Sequence, residues 1–435
     1  MTLYNVDKTL YKRKEFLHLK IALIGAGQRG MIYAGYAFDS MQNEIVAVVD
    51  PNKEKRKIAE ERFHISPEMA FDNSDAFFNA GKVADAIIIA SMDRDHYLQT
   101  IKALELGYNI LLEKPISPDP KECLLIQEKA NECNRNIVVC HVLRYTNFFA
   151  AIKQIIDSGE LGKVITIQHA ENIGNFHMAH SFVRGNWRNS DETSPIIMQK
   201  SCHDMDILVW LAGSEAKKVS SFGNLQYFCR ENAPEGSAER CMECKVADQC
   251  RFDARKAYLP VAGEWPATVV SEDQTEEGLM KSFETSPYGR CVYKCDNNVC
   301  DNQVTNIEFK NGVTATFHLS GFSNKMHRTI KIMCENGDII GDDSDNMIKI
   351  TKYSSNSKYT GEEKTIQVES AEGFHGGGDY GLMLDFIAGA MEDGKNSKTS
   401  INRSIESHVM AYAAEESRLM NQIIDMDALK KELLK

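Results

Sequence analysis

The chain has 435 residues, of which 43% are hydrophobic and 26% charged, and its net charge is −12. This length is enough for two domains or one large domain, and the ordinary composition excludes a disordered, collagen-like or coiled-coil chain. The negative charge has the wrong sign for a general phosphate-backbone binder, so nucleic acid is not an expected partner.

The sequence also disfavours membrane insertion and export. It contains no stretch of about 18 uncharged apolar residues, and its first residues lack the apolar core of a signal peptide. Because the chain is large and carries no export signal, its cysteines are expected to be thiols or metal ligands rather than disulfides. We therefore expect a cytoplasmic protein without a membrane partner.

The first 18 residues are polar and charged without a clear period, and they predict an N-terminal arm. From residue 19 onward, strands and helices alternate. The predicted elements are strand 20–24, helix 31–40, strand 44–49, helix 53–63, strand 84–90, helix 95–106 and strand 109–112. This alternation predicts a doubly wound parallel sheet, a Rossmann-type α/β domain over residues 19–140.

After about residue 140 the pattern becomes rich in β-strands. Strands are predicted at 163–169, 304–309, 313–319 and 330–334. The dipeptide Asn311-Gly312 indicates a hairpin, so the sheet of this second domain, residues 141–400, is expected to be open and mostly antiparallel. Residues 404–424 have helical spacing and predict a closing helix within the C-terminal segment 401–435. An aperiodic stretch at about 230–300 predicts an insertion.

A glycine-rich turn separates the first predicted strand from the first predicted helix, and Asp50 ends the second strand. Glycines let the backbone approach a pyrophosphate at the helix N-terminus, and a carboxylate at the next strand end can accept hydrogen bonds from a ribose. The predicted cofactor-binding residues are Gly25, Gly27, Gln28, Arg29, Gly30 and Asp50. Because Asp50 would repel a 2′-phosphate, NAD is favoured over NADP. A tight turn with Asp50 as a strand-end cap is the alternative.

Two further motifs follow. The strand 109–112 ends in Glu113-Lys114-Pro115, at the edge where open α/β sheets bind ligands. Later, His203 and Asp206 are three residues apart and share a helix face. Together with the glycine turn and the stretch from Asp95-His96 to Gly107, these motifs resemble the Gfo/Idh/MocA family, named for glucose-fructose oxidoreductase, inositol dehydrogenase and rhizopine catabolism. The resemblance covers most of the chain from about residue 19.

The resemblance implies a Rossmann domain followed by an α/β domain, an NAD(P)-dependent oxidoreductase of sugars, polyols or their derivatives, and a homodimer or homotetramer. It implies that Lys114 lies beside the nicotinamide and the substrate hydroxyl, that Glu113 holds this lysine or the cofactor, and that Lys114–Pro115 is a cis peptide. An ammonium group there can stabilise a developing alkoxide. His203 would exchange the hydroxyl proton.

One position departs from the family pattern. Four residues before His203, where many family dehydrogenases have Asp, the chain has Gln199, followed by Lys200. Lys200 is therefore a candidate second catalytic cation or a group that binds an acidic substrate. Two alternatives to a dehydrogenase stay open: an enzyme that oxidises a glycoside transiently and eliminates its substituent, and a non-catalytic sensor that binds NAD or a sugar.

Four further residues are candidates for substrate binding: Arg144, Tyr145, Asp206 and His375. Arg144 and Tyr145 lie where the resemblance puts the crossover between domains, and packing there is an equal alternative. His375 lies in a glycine-rich loop, and Asp379 after it is interpreted as a helix cap.

Six cysteines lie between residues 241 and 300. Thiols at this spacing can converge on one ion, and a structural zinc would stabilise a long loop that lacks a core. The predicted ligands are Cys241, Cys244 and Cys250, with Cys291 or Cys295 as the fourth. Unligated thiols, disulfides and an iron–sulfur cluster are the alternatives.

Overall fold

The structure is a computed structural model that describes residues 18–356, 358, 360–391 and 397–435. The predicted arm, residues 1–18, therefore lies outside the described residues except for His18. The described chain forms two sheets, one of six strands and one of nine. In the described part of the chain, no helix is long and apolar enough to cross a bilayer.

The first sheet is parallel, with strand order β3-β2-β1-β4-β5-β6. Its strands are β1 Lys20–Ile24, β2 Glu44–Val49, β3 Ala70–Phe71, β4 Ala86–Ile89, β5 Asn109–Leu112 and β6 Ile137–Val139. The central strands consist almost entirely of buried aliphatic residues because helices cover both faces of the sheet. The predicted doubly wound parallel sheet is confirmed.

Five helices accompany this sheet. They are α1 Gln28–Gly35, α2 Lys53–Phe63, α3 Ser74–Asn79, α4 His96–Glu105 and α5 Pro120–Glu132. Helix α1 begins directly after Gly27, earlier than predicted, and continues as a π-helical turn to Ser40. The turn that precedes it therefore presents the free N–H groups of the helix at the carboxyl edge of the sheet.

The second sheet is mixed, with strand order β14-β13-β12-β11-β7-β10-β9-β8-β15. Only β7 and β10 pair in parallel; the other neighbours are antiparallel, as predicted for most of the sheet. Its strands are β7 Val164–Asn172, β8 Ala216–Asn224, β9 Asn302–Phe309, β10 Thr314–Ser320, β11 His327–Cys334, β12 Gly337–Asp342, β13 Met347–Lys352, β14 Glu362–Gln367 and β15 Ile424–Asp425.

Ten helices lie among the described residues of this half of the chain. They are α6 Asn147–Asp157, α7 Asn175–His177, α8 Ile196–Gln199, α9 Cys202–Ala212, α10 Ala254–Tyr258, α11 Ala267–Val270, α12 Glu276–Thr285, α13 Gly378–Met391, α14 Ile401–Met420 and α15 Met426–Leu433. The predicted closing helix ends earlier than expected because Asn421 adopts a left-handed conformation (φ +55°). Ile424 then pairs with Val219 in the sheet, so the C-terminal segment is two helices joined by a strand.

The insertion lies between β8 and β9 and consists of loops and short helices, α10 to α12. It has a small apolar core of its own, formed by Cys241, Ala254, Tyr258, Ala267, Val270, Leu279, Phe283 and Tyr288. This core gives a loop-rich segment a fixed shape without a regular sheet.

Candidate active site

The three glycines of the first turn have different physical roles. Gly25 has φ +89°, and a Cβ there would lie 2.4 Å from the Ala90 carbonyl oxygen. A Cβ on Gly30 would lie 2.0 Å from the Gly25 carbonyl oxygen. A Cβ on Gly27, in contrast, would meet no atom within 4 Å. The fold itself requires Gly25 and Gly30, whereas Gly27 leaves open space at the N-terminus of α1, as a bound pyrophosphate requires.

Asp50 follows β2 and faces this turn. One carboxylate oxygen accepts a hydrogen bond from the Ala26 amide (3.0 Å), and the other accepts one from the Asn52 amide (2.8 Å). A carboxylate oxygen accepts more than one hydrogen bond, so both oxygens can also receive ribose hydroxyls. The glycine turn and Asp50 together fit a dinucleotide.

Arg29 connects the turn to distant parts of the chain. Its guanidinium donates to Glu113 Oε1 (3.0 Å), to the Tyr33 hydroxyl and to both carboxylate oxygens of Asp379. Burial would lower the pKa of Arg29, but these partners raise it, so the group is always charged. The interpretation of Asp379 as a helix cap misses this ion pair. Gln28, by contrast, is exposed at the start of α1.

Lys114 lies at the carboxyl end of β5, half-buried, and its peptide bond to Pro115 is cis, as the resemblance implied. Its backbone amide donates to Glu113 Oε2 (2.6 Å), and its Nζ donates to the Gln199 carbonyl oxygen (3.0 Å). Burial would raise the pKa of the Glu113 carboxyl, but Arg29 and Lys114 lower it. Glu113 thus holds the glycine turn and the Lys114 backbone at one edge of the sheet.

Two buried histidines fix the chain after Lys114. His96 hydrogen-bonds the Pro115 carbonyl oxygen through Nδ1 (2.9 Å), and His408 Nε2 accepts from the Ile116 amide (3.0 Å). His408 is therefore neutral, and burial lowers its pKa to about 3. These contacts give His96 a structural role and reveal His408, which the sequence analysis did not identify.

His203 lies in the first turn of α9 and is 7% exposed. Its ring centroid is 5.7 Å from that of His141 and 6.4 Å from that of His375, and its Nδ1 has no hydrogen-bond partner among the described residues. Burial and, next, the charge of Lys114 lower its pKa well below the usual value. A neutral imidazole in this position can accept a proton at neutral pH.

Lys200 belongs to a second polar network. Its Nζ lies 3.4 Å from Glu171 Oε1, and Arg328 pairs with both Glu171 and Asp204. His169 Nε2 lies 2.8 Å from the same Asp204 carboxylate. Burial lowers the pKa of Lys200, and Glu171 opposes that effect. Burial would raise the pKa of Asp204, but Arg328 and His169 together outweigh it and the pKa falls to about 2.

The sequence analysis missed Glu171, Arg328 and Asp204. The sequence nevertheless contains an indication of this network in β7, where every second residue (Ile167, His169 and Glu171) faces the covered side of the sheet. Polar residues at inward positions of a strand need buried partners, which a search limited to short motifs does not detect.

Three of the four residues predicted to bind substrate are used inside the protein. Arg144 Nε and Nη2 each donate to Asp206 at 2.6 Å, and these two side chains are 4% and 1% exposed. The buried Tyr145 hydroxyl donates to Asp385 (2.5 Å). Only His375, 42% exposed, has a side chain open to solvent. The substrate-binding prediction for the other three finds no support, because residues far apart in sequence satisfy each other in the fold.

The four predicted metal ligands, Cys241, Cys244, Cys250 and Cys291, line one small cavity. Yet no group of three or more His, Cys, Asp or Glu side chains is arranged to hold a metal ion anywhere in the described ranges. Cys241 Sγ instead accepts a hydrogen bond from the buried Arg184 (3.4 Å). All twelve cysteines are free thiols. The described side chains therefore do not support the predicted zinc.

Two family models match the chain. The model described as "Oxidoreductase family, NAD-binding Rossmann fold" matches residues 19–141, and the model described as "Oxidoreductase family, C-terminal alpha/beta domain" matches residues 153–425. Together they cover both sheets and the insertion.

Individual relatives are distant. A Bacillus subtilis (strain 168) protein named as the oxidoreductase YteT is 23% identical over 364 residues, 80% of this chain and 83% of that protein. Inositol 2-dehydrogenase of Klebsiella pneumoniae (strain 342) is 26% identical over 205 residues, which covers 47% of this chain and 57% of that enzyme. The match to inositol dehydrogenases thus spans less than two thirds of their length.

Solved structures share the fold. A levoglucosan dehydrogenase in complex with NADH and levoglucosan has a TM-score of 0.69 at 16% identity, covering 94% of this chain and 100% of that one. An Agrobacterium radiobacter oxidoreductase in complex with NAD+, L-tartaric acid and magnesium has a TM-score of 0.67 at 14% identity, covering 95% and 100%. With the two family models, these findings show that the chain belongs to the Gfo/Idh/MocA family of oxidoreductases and has its NAD-binding domain.

Proposed function

We propose that the protein transfers hydride between NAD and a CH–OH carbon of a sugar, a polyol or one of their derivatives. The observation that carries this proposal is the arrangement at one sheet edge: Asp50 is bonded to the dinucleotide turn through the Ala26 amide, and Lys114 is joined to the turn through Glu113 and Arg29. The names of the relatives, inositol 2-dehydrogenase and levoglucosan dehydrogenase, support the substrate class.

In this mechanism Lys114 and His203 both act on the substrate hydroxyl, in different roles. The Lys114 ammonium donates a hydrogen bond to the oxygen and stabilises its developing negative charge. The neutral His203 imidazole accepts the hydroxyl proton, the C–H bond breaks, and the oxygen and carbon form a carbonyl. Bound NAD would supply the acceptor of the hydride. Lys200, neutralised by Glu171, orients a second polar group of the substrate.

Asp50 favours NAD over NADP in this proposal. Its carboxylate faces the turn where the adenosine ribose would lie, and a 2′-phosphate there would meet a like charge. The test is the ratio of kcat/KM for the two coenzymes in the wild type and in Asp50→Ser, where the preference for NAD should fall.

A second candidate is an enzyme that cleaves glycosides by transient oxidation and elimination. The Gln199 side chain favours it: its amide nitrogen donates to Thr193 Oγ1 (2.6 Å) and to the Ser194 carbonyl oxygen, so this nitrogen is already bonded within the protein. The carboxylate that many family dehydrogenases have here is absent, which leaves Lys200 as the next polar group. A sensor that binds NAD or a sugar without turnover is the third candidate.

One experiment separates the three candidates. The protein is incubated with NAD and a panel of myo-inositol, levoglucosan, sugars and glycosides, and both nicotinamide reduction and products are followed, the latter by mass spectrometry. Reduction with a matching keto product supports the dehydrogenase. Cleavage of a glycoside without net reduction supports the second candidate, and binding without either reaction supports the sensor.

We also propose that the outer face of the nine-stranded sheet joins two copies of the chain. Phe222, Ile340 and Met347 lie on this face and are 64%, 42% and 45% exposed. Ile340 and Met347 come from the neighbouring strands β12 and β13, and a contiguous exposed apolar patch marks an association surface. Light scattering should give the mass of a dimer or tetramer, and Ile340→Glu should lower it; a wild-type monomer would refute this proposal.

A further inference from the structure

The insertion presents one large aromatic side chain at the protein surface. Trp265, in the loop between α10 and α11, is 39% exposed. Its ring centroid lies 5.1 Å from that of His177 and 5.6 Å from that of His180, both in edge-to-face geometry. Two imidazoles thus support one side of the indole, and the rest of the ring is open.

The loop that carries Trp265 is held by several hydrogen bonds. The Gly263 amide donates to Gln274 Oε1 (2.9 Å), and Gln274 Nε2 donates to the Ala267 carbonyl oxygen (3.2 Å). The Thr268 amide donates to the Glu264 carbonyl oxygen (3.1 Å). Ala267 also belongs to the core of the insertion. The indole is therefore preorganised, which is what a binding surface needs in order to avoid ordering costs.

His177 connects Trp265 to the candidate active site. It lies in α7, which follows the strand β7 that carries Glu171, the partner of Lys200. Burial, and next the charge of Lys200, lower the pKa of His177 well below the usual value, and Lys114 acts in the same direction. In the structure, His177 Nδ1 lies 2.7 Å from Met326 Sδ, and Met326 lines one cavity together with Arg328 and His375.

The surroundings decide which ligand the indole suits. The carboxylates of Glu171 and Asp204 would not attract a cation, because Glu171 is paired with Lys200 and Arg328 and Asp204 is paired with Arg328. A pyranose ring has an apolar C–H face that can pack on an indole and hydroxyl groups at its rim that can bond to polar neighbours. The exposed indole of Trp265 supplies a surface for such an apolar face.

We propose that Trp265 forms an outer subsite that stacks on a second sugar ring, so that the substrate is a glycoside whose reacting ring lies at Lys114 and whose next ring lies on Trp265. This inference rests on the proposed function and extends it from free sugars and polyols to glycosides of two or more rings. The insertion would then determine the preference for substrates with two or more sugar rings.

The test compares Trp265→Ala and Trp265→Phe with the wild type and with Tyr353→Ala, which removes another exposed ring at the end of β13. The substrates are myo-inositol and the methyl pyranosides and disaccharides of glucose, galactose, mannose and xylose. Both NAD reduction and glycoside cleavage are followed.

We expect the wild type to prefer a disaccharide. An aromatic contact of this kind is worth about 0.5–1.5 kcal/mol, so Trp265→Ala should raise the KM for that disaccharide about 2- to 12-fold. Its kcat and its KM for single-ring substrates should stay unchanged. Trp265→Phe should retain most of the affinity, and Tyr353→Ala all of it.

Two results would overturn the subsite and leave the proposed function intact: a wild type that reacts best with single rings, or the same KM for the disaccharide in Trp265→Ala and wild type. If the wild type neither oxidises nor cleaves any member of the panel, the proposed function fails and the subsite fails with it.

Discussion

The two halves of the candidate site are built in different ways. On the coenzyme side, each functional residue directly follows a strand of the parallel sheet: the glycine turn follows β1, Asp50 follows β2 and Lys114 follows β5 with Glu113. On the substrate side, Glu171, Lys200 and Arg328 come from separate elements of the second domain, and their relationship appears only in the folded chain.

Strand direction explains the difference. In a parallel sheet all carboxyl ends lie at one edge, so residues after different strands meet whatever their exact register. In the antiparallel pair β7 and β11, a contact depends on register, and Glu171 lies directly opposite Arg328. A shift by one residue would move these groups to opposite faces. Short motifs therefore predict the first half of the site and not the second.

The sharpest test of this comparison is Lys114→Ala, on the coenzyme side. Without the ammonium group, the developing alkoxide loses its stabilisation, and kcat/KM should fall about 10²- to 10⁴-fold. NAD binding, measured by titration, should change little because the turn and Asp50 are intact. Lys121→Ala, which removes an exposed lysine in α5, is the control. Turnover equal to wild type would remove Lys114 from the mechanism.

The second test asks whether Arg144 serves the fold rather than the substrate. Arg144→Met would leave the buried Asp206 without its bidentate partner, so the free energy of unfolding should drop by about 3–5 kcal/mol. Arg62→Met, which breaks the exposed pair with Asp39, should change it by less than about 1 kcal/mol.

Urea unfolding measures both changes. The double variant Arg144→Met with Asp206→Leu should regain most of the lost stability, because it leaves no unpaired buried charge. A loss below about 1 kcal/mol in Arg144→Met would contradict the structural role and return Arg144 to the substrate candidates.

The third test separates coenzyme binding from folding within the glycine turn. Gly27→Ala places a methyl group in open space, so the thermal midpoint should be unchanged. The methyl group would displace the pyrophosphate, and a loss of about 1.4 kcal/mol in binding free energy would weaken NAD binding about tenfold. Gly25→Ala forces a positive φ and a 2.4 Å approach to Ala90, so it should destabilise the domain. NAD affinity in Gly27→Ala equal to wild type would show that the coenzyme does not approach this position.

The last test concerns the pH dependence of stability that the buried histidines of the substrate side produce. The pKa values of His141, His177 and His203 lie well below the usual value, and those of His180 and His408 are lowered to about 4 and about 3. Below the unfolded pKa of about 6.5, the unfolded chain binds protons that the native histidines do not bind, so stability falls as the pH decreases.

In this range, each histidine lowers the free energy of unfolding by up to about 1.4 kcal/mol for each unit by which the pH falls. Unfolding in urea at pH 7.5 and 5.5 should therefore give a lower free energy at pH 5.5. His64→Gln, which replaces an exposed histidine, should keep the same pH dependence as wild type. Equal stability at the two pH values would contradict burial of these imidazoles in their neutral form.

Much of the fold and part of the site could be predicted. The alternation of elements indicated the parallel sheet, Asn311-Gly312 indicated the β9–β10 hairpin, and the cis peptide before Pro115 followed from the resemblance. The cysteine cluster shows the limit of spacing as a signal. Four cysteines reach one cavity as the spacing suggested, but convergence of backbone segments does not fix where the thiols point, and the described side chains are not arranged as metal ligands.

The sequence by itself determined the dinucleotide turn, its acidic partner and the lysine after β5, because these depend on local backbone conformation at the ends of parallel strands. Only the tertiary structure decided that Arg144 pairs with Asp206 and that Glu171 pairs with both Lys200 and Arg328. It also decided that the ring of Trp265, in the insertion, contacts the ring of His177. Ion pairs and ring contacts between distant residues depend on strand register and on burial, and neither is encoded in the spacing of neighbouring residues.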